Sequence, residues 1–184
     1  MTETQYYIDQ VSTQVLNASS VFRSGYTNIF IDSDSKQILL RQNGNSNEYV
    51  RFGANDSLGN FFYIRYRGRE SWELQRQTKQ LASDQFRQVE RIPLKLVGIF
   101  SEQDLYEVAD GLRHDLLKVH LPNYMNAGPA WIEQESVKLD YLNGWAEESE
   151  DNFRSYAVGL QSIAIDFSLI YSRVGECRQP SELL

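Results

Sequence analysis

Between Arg91 and Val119 the spacing of apolar positions changes in mid-run. Ile92, Leu94, Leu96 and Phe100 alternate with residues of the opposite face, whereas Leu105, Val108, Ala109, Leu112 and Leu116 recur every three or four positions. Side chains alternate across a strand and return to the same side of a helix about every 3.6 residues, so the pattern predicts a strand running into an amphipathic helix. Ser101, with Asp104 three residues later, predicts a variant capping box at the helix start, and Pro122 lies past its end. No nucleophile, phosphate loop or metal cluster accompanies this stretch.

The remaining texture is also α+β. Tyr7, Ile8, Val11, Val15 and Leu16 fall on one stripe and predict a helix over residues 3–17 that covers a sheet. Ile29 and Ile31, Ile38 and Leu40, Tyr49 to Phe52, and Phe61 to Arg67 then read as short antiparallel strands separated by Asp-, Asn- and Gly-rich turns. Residues 69–91 are polar and read as a hairpin that extends from the body or crosses back over it. The segment 120–130 reads as a long loop of the kind that often forms a binding surface. Val137, Leu139, Tyr141 and Trp145 share one face of a strand, and Phe153 and Tyr156 fall in a short helix. Ile163, Ile165, Phe167, Leu169 and Tyr171 form the clearest strand, with Asp166 and Ser168 opposite, which predicts burial on one face.

The expected architecture is therefore an α+β single domain over 1–174. A mainly antiparallel or mixed sheet is packed by an N-terminal helix and a central amphipathic helix, with an extended β hairpin. Residues 27–88 are a hairpin-rich elaboration, 89–173 the core, and 175–184 a tail.

Composition narrows the function. The 184 residues, 41% hydrophobic and 23% charged, suffice for one core. A net charge of −7 argues against a general nucleic-acid binder. One cysteine, Cys177, excludes an intrachain disulfide, and with two histidines it disfavours a Cys/His zinc site. The N-terminus has no secretory pattern and no run approaches a membrane span, which predicts a protein made in a cytoplasm with no membrane role. The glycosylation sequon at Asn17 is a short pattern that occurs by chance and is discounted.

Four constellations bear on chemistry. Asp32-Ser-Asp34-Ser-Lys36 begins like a calcium loop, but Lys36 stands where an oxygen ligand is needed, so a hairpin turn explains it better. Asp110, His114 and Lys118 lie one helical turn apart, and read as a solvated ionic row rather than an oriented base. Glu147, Glu148, Glu150 and Asp151 suit a helix N-terminus. Tyr63, Arg65, Arg67 and Arg69, joined by Arg76, share a strand face and can hold acidic groups or stack on bases. An edge strand protected by its charges and a contact with an acidic neighbouring subunit explain this strip equally, with nucleic acid behind. Tyr124 and Trp131 fall in the loop segment as interface-type aromatics. No catalytic, cofactor or metal residue is assigned. The candidate interface is Arg65, Arg67, Arg69, Arg76, Tyr124 and Trp131.

The succession of elements resembles the tail terminator and tail completion proteins of tailed bacteriophages. The likeness is carried by the strand Arg91–Phe100, the helix from Asp104 to Leu117, the strand from Val137 to Trp145 and the strand Ile163–Tyr171. It is one of element order, with no catalytic motif to transfer. It implies a non-enzymatic virion protein without cofactor, made in the host bacterial cytoplasm. Such a protein assembles with itself in a ring, for which the resemblance favours a hexamer, and contacts tail-tube and neck proteins, with DNA passing through a channel. A small intracellular binding module is the alternative, and a hydrolase or transferase built on scattered carboxylates or His114 comes last.

Overall fold

The computed structural model describes residues 2–31, 38–42, 49–52, 59–67, 71–75, 85–101, 103–124, 127–139 and 160–176. In chain order the elements are α1 (Glu3–Ala18), β1 (Ser24–Ile31), β2 (Ile38–Gln42), β3 (Tyr49–Phe52), β4 (Phe61–Tyr66), β5 (Ser71–Gln75), β6 (Gln85–Phe100), α2 (Leu105–Leu117), β7 (Ala127–Leu139) and β8 (Gln161–Glu176). The expected α+β fold with an N-terminal and a central helix is present. None of the described helices is long and apolar enough to cross a membrane.

The strands form one mixed sheet in the order β3-β2-β1-β4-β6-β8-β7, and β5 pairs with β6 on the same side as β4. Among the described residues only the β1–β4 pairing is parallel. Because β8 lies antiparallel between β6 and β7, those two run the same way, and α2 makes the crossover that two like-directed strands require. β4 and β5 together read as one interrupted strand along β6, so the expected hairpin extension is real and returns through β6.

Both helices lie on one face, hereafter the helical face. Tyr7, Ile8, Val11 and Val15 of α1 and Val108, Ala109, Leu112 and Leu116 of α2 pack with Phe62, Ile64, Leu94, Leu96, Ile165 and Phe167, all buried. The stripes that predicted each helix are the stripes that bury. Phe22, in the turn after α1, wedges between the rings of Phe62 and Phe100 at centroid distances of 5.7 and 6.0 Å, edge to face in both cases. Gly98 makes that wedge possible, because a Cβ there would stand 2.8 Å from Phe22 Cζ.

Four expectations are corrected. The N-cap of α2 is Asp104 rather than Ser101: its Oδ1 accepts from the N–H groups of Tyr106 (2.9 Å) and Glu107 (3.0 Å). An ionised oxygen satisfies two orphan donors at once, while the Ser101 N–H is taken by Asn60 Oδ1 at 3.0 Å. The expected 120–130 loop is shorter, since β7 already starts at Ala127. Burial of β8 is two-sided: Ala164, Asp166, Ser168, Ile170 and Ser172 on the second face are as enclosed as the apolar row. β8 also continues to Glu176, two residues into the expected tail.

Gly111 sits in the interior of α2 with nothing within 4 Å of a would-be Cβ. An alanine there meets no clash and removes the entropic disadvantage of glycine, so Gly111→Ala should stabilise the protein by about 0.5–1 kcal/mol. A urea midpoint that falls instead would show that the groove beside Gly111 must stay open.

Candidate assembly surface

Arg65 and Arg67 of the arginine strip lie on the second face of the sheet, and the register explains what they meet. Arg65 of β4 is opposite Lys95 of β6, which is opposite Asp166 of β8, which is opposite Ser136 of β7. One row along, Pro93, Ser168 and Glu133 follow, and the Arg67 N–H donates to the Pro93 carbonyl at 2.9 Å. A bulge in β7 between Gln134 and Ser136 leaves Glu135 as an extra residue, which turns its carboxylate towards the strip.

Arg67 therefore bridges two acids of its own subunit. One guanidinium nitrogen donates to Glu135 Oε2 and the other stands 3.1 Å from Asp166 Oδ2. Glu135 Oε1 accepts from Ser168 at 2.6 Å, and Asp166 Oδ2 from Ser136 at 2.9 Å. Asp166 Oδ1 faces Lys95 Nζ at 4.0 Å, with both side chains only 6% exposed. Burial alone would pull the Arg67 guanidinium down, but the hydrogen bonds and charges of Glu135 and Asp166 outweigh it and raise its pKa. Arg65 is half-buried in the same row as Lys95.

The next row adds two exposed side chains to this face, Arg91 and Trp131. Arg91, Ile170 and Trp131 lie side by side on β6, β8 and β7. Trp131 is 45% exposed, the Trp131 Nε1–H donates to Glu133 Oε1 at 3.3 Å, and Arg91 donates to Glu133 Oε2 at 2.7 Å. The hydrogen bond from Arg91, then that from Trp131, hold the Glu133 carboxyl below the usual carboxylate range. A lowered folded-state pKa means that the pairing favours the folded protein above the ordinary Glu pKa and fades as pH falls through the lowered one. Arg91→Gln should move the Glu133 titration, followed by NMR, upward towards the ordinary value. An unchanged midpoint would show that solvent separates the pair.

Tyr124, one of the proposed interface residues, is half-buried beside α1. Its ring stacks on Tyr6 of α1 at 3.9 Å and 13°. The adjoining backbone is clamped by Gln14, whose amide donates to the His120 carbonyl (2.6 Å) and accepts the His120 N–H (2.9 Å). The segment after α2 thus lies against its own α1. Arg69 and Arg76 are outside the described residues, as are the 32–36 turn, Tyr141, Trp145, the 147–151 acids, Phe153, Tyr156 and Cys177. Asp110, His114 and Lys118 are all exposed on the outer side of α2. Among the described residues no three His, Cys, Asp or Glu side chains gather as for a metal ion.

Two features escaped sequence reasoning. One is the charged cluster around Asp166, for which the only signal was an acid inside the most apolar strand. The other is a cleft of about 290 Å³ between the 18–22 turn and α2, lined by Ser19, Phe22, Glu107, Gly111 and Asp115.

No protein-family model matches the chain, and neither does any of the curated proteins compared with it.

Proposed function

We propose that the protein is a non-enzymatic assembly protein of a phage virion, a ring-forming tail terminator or neck component that caps the tail tube and joins it to the head. The observation that carries this reading is the length of the two central strands. β6 and β8 each have 16 residues, paired in unbroken register from Gln85↔Glu176 to Phe100↔Gln161, which is about 50 Å of ladder. α1 spans only about 24 Å. Its first turn meets the ladder at the Glu90↔Tyr171 row, where the Thr4 hydroxyl lies 3.0 Å from the Tyr171 hydroxyl, which donates to Glu90 at 2.6 Å. The ladder continues five rows past that point, with β5 alongside.

Paired strands that run on past the start of α1 offer a surface beyond that helix, which suits contact with a neighbour. Arg67 and Tyr124 are engaged within the subunit, so of the six proposed interface residues the exposed Trp131 carries most of the weight.

A second reading, a small intracellular binding module, is favoured by the cleft beside Gly111. Mass in solution at micromolar concentration, with negative-stain images, separates the two. Rings, alone or on addition of tail-tube protein, support the virion reading. A strict monomer indifferent to tube protein overturns it and directs attention to the cleft.

A further inference from the structure

The cleft between the 18–22 turn and α2, about 290 Å³ in volume, sorts its lining by chemistry. Phe22 and Leu112, both part of the core, supply an apolar floor. On one wall the Ser19 hydroxyl oxygen accepts the N–H groups of Val21 (3.2 Å) and Phe22 (3.1 Å), which fixes the turn. The other wall is a single row of α2: Glu107, Gly111 and Asp115 follow at intervals of four residues and so share one side of the helix. The two acids stand about 12 Å apart along the helix axis. Among the described residues they are the only charged groups lining the cleft, and neither carboxylate has an ion-pair or hydrogen-bond partner.

Gly111, between them, has no reason within the subunit. Glycine is unfavourable in a helix interior, yet a Cβ here would meet no atom within 4 Å, so packing does not demand it. A glycine also serves where a ligand must come close to the backbone. The missing side chain leaves a notch of bare helix between two unpaired carboxylates.

We propose that this cleft binds a linear aliphatic diamine or polyamine, with one ammonium group at Glu107, another at Asp115, and the methylene chain laid across the Gly111 notch on the Phe22 and Leu112 floor. The site goes beyond the assembly reading and does not depend on it. Charge and shape both select this class. A single ammonium group serves one acid and leaves the other unpaired, whereas a chain charged at both ends serves the two together. The volume lies near the lower end of small-molecule pockets, which suits a slender chain better than a protein segment. Asp115 is half-buried and Glu107 exposed, so both pairs are screened and binding should weaken as ionic strength rises.

A chain of net charge −7 attracts any cation, so the test separates the cleft from the surface at large. Isothermal titration calorimetry on the full chain at low salt compares octamethylenediamine with tetramethylenediamine, which carry the same charge and differ in reach. The longer diamine should bind one per chain, and the shorter about five-fold more weakly through loss of one partly exposed ion pair. Gly111→Leu fills the notch without touching the charge and should abolish binding of the longer diamine. Glu107→Gln with Asp115→Asn should do the same, while Asp110→Asn, on the outer side of α2, should leave it unchanged. The leucine enters open space, so its melting temperature should not fall; if it does, the acid-to-amide pair carries the comparison. Equal affinity for the two diamines, binding that survives in a folded cleft variant, or a wild type that binds neither overturns the proposal. Assembly state does not enter the readout, so rings or their absence decide the earlier reading separately.

Discussion

Asp166→Ala is expected to destabilise the protein by about 3–5 kcal/mol, the range for removing one partner of a buried ion pair. Asp166 is 4% exposed and its carboxylate is shared by Arg67 at 3.1 Å, Ser136 at 2.9 Å and Lys95 at 4.0 Å. Truncation leaves the Lys95 ammonium, itself 5% exposed, without that carboxylate in the middle of the sheet. The lost attraction is the smaller part of the effect; the larger part is a positive charge left with less compensation where water is scarce. Equilibrium urea unfolding measures it, and a loss below about 1 kcal/mol would show that water reaches the cluster. A cycle combining Asp166→Ala with Arg67→Met isolates the share carried by that pair, since residues in one network do not act additively.

Phe22→Ala should cost a comparable amount, about 3–5 kcal/mol, for a different reason. The ring is 5% exposed, meets Phe62 and Phe100 edge to face, and fills the space above Gly98. Its removal forfeits burial and leaves a hole that rigid neighbours on β4 and β6 cannot close. The complementary change, Gly98→Val, adds bulk to the same contact and should cost about 1–3 kcal/mol through overpacking. A cost under 1 kcal/mol for Phe22→Ala, read from the urea midpoint, would mean that the 18–22 turn collapses inward to fill the gap.

These two sites differ in how readable they were. Phe22 follows the helical stripe of α1 within a short turn, but nothing local says that it crosses to β6, because its partners are 40 and 78 positions away along the chain. Asp166 was read as the solvent-side residue of an alternating strand. Alternation identifies that a residue faces away from the core; it does not say what covers the other face. Here β4 and β7 bring Arg67 and the bulged Glu135 over it. The capping error at Ser101 has a similar origin: both Ser101 and Asp104 are good caps, and the choice fell to Asn60, a residue on another segment that claimed the Ser101 N–H.

The candidate interface shows the same division. Trp131 stands out as an aromatic with no obvious core role in a segment that reads as a loop; it lies on β7 and is 45% exposed. Tyr124 satisfied the same rule yet stacks on Tyr6, a pairing that depends on where α1 lies relative to the end of α2. The arginine strip reads equally as a charge-protected edge strand and as a contact with an acidic neighbour, and Arg67 meets two acids within its own subunit. Those partners are set by the order of strands in the sheet.

What the sequence by itself determined was periodic and local: two amphipathic helices, the central strands, their inward faces and the α+β class. These depend on the spacing of apolar residues along one element, and the hydrophobic effect acts on that spacing wherever the element is placed. What only the tertiary structure decided was the pairing between elements: the parallel β1–β4 contact, β8 lying between β6 and β7, the Asp166 cluster and the five rows of ladder beyond α1. Strand order and register bring together residues far apart in the chain, and their energies appear only after the chain has closed on itself.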